Sequence, residues 1–283
     1  MLKIIDSIPR MRTFVKIMKK EGKTIGFVPT MGYLHEGHVS LMRSARAHTD
    51  VVVISIFVNP IQFGAGEDYE KYPRDHARDE DIAGKAGVDV IFRPKAEEMY
   101  PDGYSTFVTV DGLTEGLCGA SRPGHFRGVS TVVAKLFSIV RPDIAYFGQK
   151  DAQQSVVVKK MAADLDMDID VKVLPTVRER GGLAMSSRNA YLSEAEREDA
   201  GILYASLKKA EAMIAGGIKD PLKVKETMKE MIMARPSARI DYISIVDAKN
   251  LKEVTAVEGG DILIALAVFI GRTRLIDNVI VKA

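Results

Sequence analysis

Residues 51–58, VVVISIFV, carry one polar side chain in eight positions. A run so uniformly apolar and β-branched reads as a strand covered on both faces, which fits a parallel sheet better than a hairpin. Met11, Phe14, Val15 and Met18 recur at spacings of three and four, which predicts a helix from a Ser7 cap to about Lys20, with Pro9 in its first turn and Gly22 beyond its end. A short strand at 24–28, a loop at 29–37 and a helix body at 39–48 precede the 51–58 strand. After it the pattern predicts a helix within 73–86, a strand at 89–92, a helix within 128–140 and a strand at 144–147. Asp151 offers an N-cap to a helix at 152–164, and 169–174 supplies a further strand.

This alternation predicts an α/β fold, a Rossmann-like parallel sheet with helices on both faces. Right-handed crossovers would gather the loops 29–37, 59–66 and 148–151 at the carboxyl edge of that sheet, where ligands bind. Beyond Thr176 the pattern changes. A Gly-rich turn and the run MSSRN lead to helices at 194–215 and 221–233, then to strands at 240–246, 262–269 and 272–279. These are most simply antiparallel, the last two joined tightly around Gly271. The expected division is therefore 1–176, a Rossmann-like domain, and 177–283, a smaller C-terminal α+β lid domain.

Composition narrows the class. With 283 residues, 46% hydrophobic and 28% charged, the chain is that of an ordinary globular protein. Net charge is +2, and the two parts hold 23 cations against 23 acids and 17 against 15. Neither has the excess of a nucleic-acid-binding domain, so a small partner is expected, with no nucleic acid. The lone Cys118 permits no internal disulfide, the start lacks the apolar core of a signal peptide, and no apolar run approaches the roughly 20 residues of a membrane span. A cytoplasmic protein without a membrane role is the expectation.

The candidate chemistry falls on the same sheet edge. PTMGYLHEGHVSLM, starting at Pro29, sets His35 and His38 three apart at a helix start, where two imidazoles and unpaired backbone N–H groups suit the phosphates of a nucleotide. The plainer reading is a loop histidine and a helix cap; zinc is disfavoured, since the spacing is not HExxH and no third ligand stands nearby. In FGQKD, Lys150 can serve as a phosphate cation, Gly148 allows close approach, and Asp151 either caps a helix or holds a magnesium water. In MSSRN, Ser186 and Ser187 supply hydroxyls and Arg188 a guanidinium able to grip phosphate at two points, unless the segment is only a polar hinge. Gln62 and Gln154 are placed to hold a hydroxy acid, or else to bridge loop backbones. Arg127 in GHFRGV is a weaker phosphate or subunit contact. Asp75, Asp79, Glu80 and Asp81 either meet magnesium or line an exposed helix face.

Taken in order, PTMGYLHEGH, FVNPIQFG, YPRD, GHFRGV, FGQKD and MSSRN resemble the pantothenate synthetase (pantoate-beta-alanine ligase) family over essentially the whole chain. The HxGH element alone is shared by the wider nucleotidylyltransferase superfamily; the combination of six segments is the specific signal. The resemblance implies a cytoplasmic homodimer that uses ATP, Mg2+, pantoate and beta-alanine. It implies ATP contacts at Met31, Gly32, Tyr33, Leu34, His35, Glu36, Gly37 and His38, at Gly148, Gln149, Lys150 and Asp151, and at Val177, Met185, Ser186, Ser187 and Arg188. His38, His35, Lys150 and Arg188 would be catalytic, and Gln62 and Gln154 would hold pantoate; metal ligands are unassigned. Gln149 stands where the family commonly has Glu, and Tyr33 where a small residue is frequent. The alternative is a nucleotidylyltransferase acting on a small phosphorylated substrate.

Overall fold

Two parallel strands, β2 (Ile25–Thr30) and β3 (Val51–Ile56), pair in register from Ile25 opposite Val51 to Thr30 opposite Ile56. All six residues of β3 are buried, as its unbroken apolar run requires. A computed structural model describes residues 2–282. By proximity along the backbone it forms two compact units. The first comprises residues 1–111, 122–148 and 157–175. The second comprises 112–121, 149–156 and 176–283, so it includes two segments lying before Thr176 in the sequence.

In the first unit the chain runs β1 (Lys3–Ile5), α1 (Ile8–Lys20), β2, α2 (Glu36–His48), β3, α3 (His76–Lys85), β4 (Val90–Phe92) and α4 (Ala96–Met99). After α5 (Cys118–Ser121), which belongs to the second unit, come α6 (His125–Val140), β5 (Ile144–Gly148), α7 (Ala152–Asp164), whose residues 152–156 belong to the second unit, and β6 (Asp170–Leu174). The six strands are all parallel, in the order β1-β4-β3-β2-β5-β6. Between β2 and β5 the strand order reverses direction, and the crevice beyond the carboxyl ends of such strands is where ligands bind in doubly wound sheets. Val28, Leu34, Met42, Ile54, Ile91 and Tyr146 form part of the core on one face.

Three differences from the expected pattern have local causes. Strand β1 is only three residues long, too short for a readable alternation, yet it pairs with β4 from Lys3 opposite Val90. Ser7 sits at the N-cap of α1 but its side chain makes no capping bond, Pro9 at N2 having no N–H to give it; the first helical N–H, that of Ile8, donates to Glu98 Oε1 at 2.7 Å. Helix α2 starts at Glu36 rather than Val39, because His35 adopts the extended N-cap conformation and ends the loop early.

In the second unit, α8 (Glu194–Ala215) and α9 (Pro221–Met233) precede an antiparallel sheet of β7 (Ala238–Asp247), β8 (Asp261–Ile270) and β9 (Thr273–Lys282), with β8 central. One face of β8, with Ile264, Leu266 and Val268, packs in the cluster holding Leu203, Leu207 and Met228; the other face, Leu263 and Ala265, packs in a second cluster with Leu117, Ala152 and Leu251. A strand covered on both sides must read as continuously apolar, and DILIALAVFI does. Gly271, at φ +56°, makes the tight turn between β8 and β9.

Candidate functional site

The loop leaving β2 is built by backbone bonds rather than by its own side chains. Thr30 Oγ1 donates to the Ser55 carbonyl at 2.7 Å and accepts from the Gly32 N–H at 3.1 Å. Gly32 lies at φ +84°, and a Cβ there would stand 2.9 Å from Ile56 Cγ2 and 3.0 Å from Asp79 Oδ2, so only glycine passes. Tyr33 is also left-handed, at φ +50°. The next two N–H groups, Tyr33 and Leu34, donate to Asp79 Oδ2 and Oδ1 at 2.9 and 2.7 Å. The Tyr33 ring does not simply point outward: the Arg78 guanidinium lies over it at 4.8 Å.

At the end of that loop the histidines cap α2 reciprocally. His35 Nδ1 accepts from the Gly37 N–H at 3.2 Å, and His38 Nδ1 accepts from the His35 N–H at 3.3 Å. The rings lie against each other, centroids 4.0 Å apart and planes tilted by 38°. Because a backbone N–H can only donate, each neutral ring carries its proton on Nε2. The cap reading and the phosphate reading of the sequence are therefore compatible: Nδ1 serves the helix, and Nε2 carries the ring's N–H. The helix start adds its positive dipole end.

Gln62 belongs to the same unit and is tied to that loop. Its Nε2 donates to Met31 Sδ at 3.3 Å, and its Oε1 accepts from Asn59 Nδ2 at 3.0 Å. Asn59, 1% exposed, also donates to the Gly128 carbonyl at 3.1 Å and accepts from the Tyr100 hydroxyl at 2.8 Å. Burial pushes the Tyr100 phenol well above its ordinary pKa, so it stays a donor. The Gln62 carbonyl takes His125 Nδ1 at 2.9 Å, while Arg122 grips Glu67 with bonds of 2.7 and 2.6 Å. Burial alone would raise the Glu67 pKa, but that ion pair holds it below the usual carboxylate value. A cavity of about 430 Å³ beside the loop is lined by Met31 and Gly32 with Phe57, Tyr69, Arg74 and Arg93; His35, His38 and Gln62 do not line it.

Of the acidic run at α3, Asp75 and Asp81 are exposed, as on a solvated helix face, Glu80 is half-buried and Asp79 alone is buried. Asp75 caps the helix by accepting from the Arg78 N–H at 3.1 Å, Glu80 pairs with Arg93 at 2.9 Å and Asp81 with Lys85 at 2.6 Å. Asp79, 1% exposed, holds the Tyr33–Leu34 backbone. Burial raises its pKa, against the pull of those two N–H bonds. Asp79 thus binds its proton more tightly folded than unfolded. Its contribution to stability is full below the ordinary carboxylate pKa and is lost as pH rises through the raised folded value. Asp79→Asn, which cannot titrate, is expected to show that difference from the parent chain: the parent's relative advantage shrinks between acid and neutral pH. Urea midpoints across that interval measure it, and a pH-independent difference would contradict the assignment. Arg127, the weaker phosphate candidate, lies over the Phe107 ring at 3.5 Å.

The second unit carries the other predicted residues. A 3-10 turn, Gln149–Asp151, follows Gly148 directly, with the Lys150 ammonium 3.5 Å from Asp151 Oδ1. Gln149 Nε2 donates to Asn278 Oδ1 at 3.0 Å. Gln154 is half-buried in the first turn of α7, and its neighbour Gln153 is the amide that bridges loop backbones, donating to the Leu113 and Gly116 carbonyls and accepting from the Cys118 N–H, all at 2.9 Å. Val177 and Met185 join through the Met185 N–H to Val177 carbonyl bond at 3.0 Å, closing a short antiparallel hairpin. Ser186 accepts from the Arg188 N–H at 3.3 Å and caps a 3-10 turn, Ser187–Tyr191. Asn189 anchors that turn through Glu179 Oε1 at 2.8 Å and the Ala184 carbonyl at 3.1 Å.

Structure therefore groups Met31, Gly32, Tyr33, Leu34, His35, Glu36, Gly37, His38 and Gln62 in the first unit, and Gln149, Lys150, Asp151, Gln154, Val177, Met185, Ser186, Ser187 and Arg188 in the second; Gly148 ends β5 in the first. Sequence reasoning missed Asp79, Asn59, Tyr100 and Asn278 as supports. Asp79 was findable: with Ile82, Ala83 and Ala86 it shares the apolar face of α3 at helical spacing, an odd place for a carboxylate.

The family model described as pantoate-beta-alanine ligase matches residues 3–280. A pantothenate synthetase of Heliobacterium modesticaldum is 58% identical over 281 residues, covering 99% of this chain and all of the relative. A crystal structure of pantothenate synthetase from Thermus thermophilus superposes with a TM-score of 0.93 at 44% identity, covering 98% of both chains. A crystal structure of pantoate-beta-alanine ligase from Francisella tularensis, complexed with beta-gamma ATP and beta-alanine, gives 0.82 at 35% identity, covering 99% of this chain and 97% of that one.

Proposed function

The chain belongs to the pantoate-beta-alanine ligase family, and from that premise we propose how its residues divide the ATP-dependent ligation of pantoate and beta-alanine to pantothenate. The reaction runs through an adenylate. A carboxylate oxygen of pantoate attacks the α-phosphorus of ATP in line and pyrophosphate leaves. The beta-alanine amine then attacks the acyl carbon of the mixed anhydride, AMP leaves with the bonding pair, and the amine gives up its proton. A free carboxylate resists attack by an amine; an acyl phosphate does not, because its leaving group is good.

His38 and His35 donate from Nε2 to phosphate oxygens as charge grows on them, and Lys150 and Arg188 supply the full positive charges. The observation that carries this assignment is the pair of adjacent rings whose Nδ1 atoms are both engaged by backbone N–H groups at the start of α2. Gln62 and Gln154 hold pantoate, Gln62 from a buried network whose members are already paired. Val177, Met185, Ser186 and Ser187 line the nucleotide, residues 1–176 bind nucleotide and pantoate, and 177–283 serve as a lid that keeps water from the anhydride.

Mg2+ fits as a companion of the triphosphate. The described residues form no cluster of three His, Cys, Asp or Glu side chains suited to a metal. Phosphate oxygens and water would hold it, with Asp151 placed to bind one of those waters, and when bound it would offset phosphate charge. The same reading makes the chain a cytoplasmic homodimer with no nucleic-acid or membrane partner. Near-neutral charge in both parts supports the former exclusion, and no described helix is long and apolar enough to cross a membrane.

The test is a coupled assay. With MgATP and pantoate alone, only a slow or stoichiometric release of AMP is expected; adding beta-alanine should make AMP formation catalytic, with the amide product identified by mass. A nucleotide left attached to the acceptor, with no dependence on the amine, would instead support the nucleotidylyltransferase alternative.

A further inference from the structure

We propose that Asn278, on β9, is a positioning residue for Lys150: its side-chain amide fixes the Gln149–Asp151 turn from which the ammonium is presented to the triphosphate. This rests on the reading of Lys150 as a phosphate-binding cation.

Asn278 spends its whole amide on that one turn. Its Nδ2 donates to two successive carbonyls, Gln149 at 3.0 Å and Lys150 at 2.9 Å, and its Oδ1 accepts from Gln149 Nε2 at 3.0 Å. The residue is 4% exposed, so its own end of each bond is screened from water, while Gln149 and Lys150 are half-buried. No other side chain type of this size repeats the pattern. Aspartate would set a carboxylate against two carbonyl oxygens, and leucine would leave both carbonyls without that donor.

The strand beneath is rigid. Asn278 pairs with Ala265 of the central strand β8, and its neighbour Asp277 makes a two-point ion pair with Arg178 at 2.6 and 3.0 Å. Arg178 also donates to the Gly182 carbonyl at 3.0 Å and lies over the Tyr204 ring at 3.8 Å. Two adjacent residues of β9 therefore anchor two segments, the Lys150 turn and the hairpin that leads into Ser186, Ser187 and Arg188. Burial raises the Asp277 pKa, while the charges of Arg178 and Lys150 draw it down.

A lysine side chain is long and flexible, so the turn's backbone sets where its charge can reach. The pairing also explains residue 149 in this chain. A glutamine there donates to Asn278 Oδ1; a glutamate would face that oxygen with no proton to give. The Gln149 side-chain amide thus helps to fix the turn.

A double-mutant cycle tests this on the full chain, reading pyrophosphate release in a single turnover with MgATP and pantoate. Asn278→Ala is expected to slow release about 10- to 100-fold, the range for a support that orients a reacting group. In the Lys150→Ala background the same change should slow it less than about 3-fold, because the group it positions is gone. A general packing defect would cost the same in both backgrounds. An additive cycle beside a clear Lys150→Ala loss overturns the proposal and leaves the phosphate role of Lys150 standing. A Lys150→Ala enzyme with unimpaired release removes that role and the proposal together. If Asn278→Ala does not fold, Gln149→Ala, which deletes one bond of the set at the turn itself, is judged by the same criterion.

Discussion

His38→Ala slows adenylate formation about 10²- to 10³-fold, equivalent to ~3–4 kcal/mol of barrier, while leaving the fold in place. The size follows from what the ring does on each side. Its Nδ1 accepts the His35 N–H at 3.3 Å, one helix-capping bond whose loss costs about 1 kcal/mol of stability. Its Nε2–H is the donor assigned to phosphate, and a preorganised donor that meets charge developing in the transition state is worth several times more than a cap. The two effects are separable. Thermal unfolding reports the cap and pre-steady-state pyrophosphate release reports the phosphate contact. A variant that loses a little stability but releases pyrophosphate at the parental rate shows His38 to be only a cap. His38→Asn refines the result, because a short amide can keep an acceptor near the helix start but cannot reach as far as Nε2.

The parallel sheet was legible because β3 is apolar throughout and because helices and strands alternate at regular intervals; these are long-range consequences of burial that composition must obey. His35, His38 and Lys150 were legible as candidates because they follow glycine-containing turns at the ends of apolar strands, and Arg188 because it follows two hydroxyls in the Gly-rich link. Their supports were not. Asn59, Asp79 and Asn278 each make bonds to backbone atoms 45 or more residues away in the chain, with Asn278 reaching back 129 residues to the Gln149 carbonyl. A short polar side chain carries no local sign of which distant carbonyl or N–H it serves. Strand β1 escaped for a related reason, since three residues hold too little pattern and their pairing with β4 comes from chain 87 positions on. Ser7 sits at the cap position without capping: the N2 residue, Pro9, has no N–H to offer, and the first helical N–H, that of Ile8, goes to the distant Glu98.

Gly128→Ala is expected to be among the most damaging conservative changes, for a reason opposite to the usual one. Alanine in place of glycine inside a helix ordinarily stabilises by about 1 kcal/mol. At Gly84, in α3, a Cβ would come no closer than 3.9 Å to Leu2 Cδ2, so Gly84→Ala should show that gain. At Gly128, in α6, the same Cβ would lie 2.4 Å from the Ile61 carbonyl oxygen, 2.6 Å from Gln62 Cα and 2.7 Å from Gln62 N. All three are backbone atoms, so no rotamer change relieves the overlap; the helix and the 3-10 turn Pro60–Gln62 must separate by about 1 Å to reach ordinary contact. Overpacking of this kind costs ~1–3 kcal/mol, which outweighs the propensity gain. The displacement also falls where it matters for substrate. The Gly128 carbonyl holds Asn59 Nδ2, Asn59 holds Gln62 Oε1, and Gln62 reaches Met31, so the shift travels through bonds of 3.1, 3.0 and 3.3 Å into the proposed pantoate contact. A misplacement near 1 Å can cost about 10² in rate, so kcat/KM for pantoate should fall by that order while the Gly84→Ala enzyme stays at the parental value. If Gly128→Ala melts higher than the parent, the close approach of α6 to the turn is wrong; if it melts lower yet turns over pantoate normally, Gln62 does not hold that substrate.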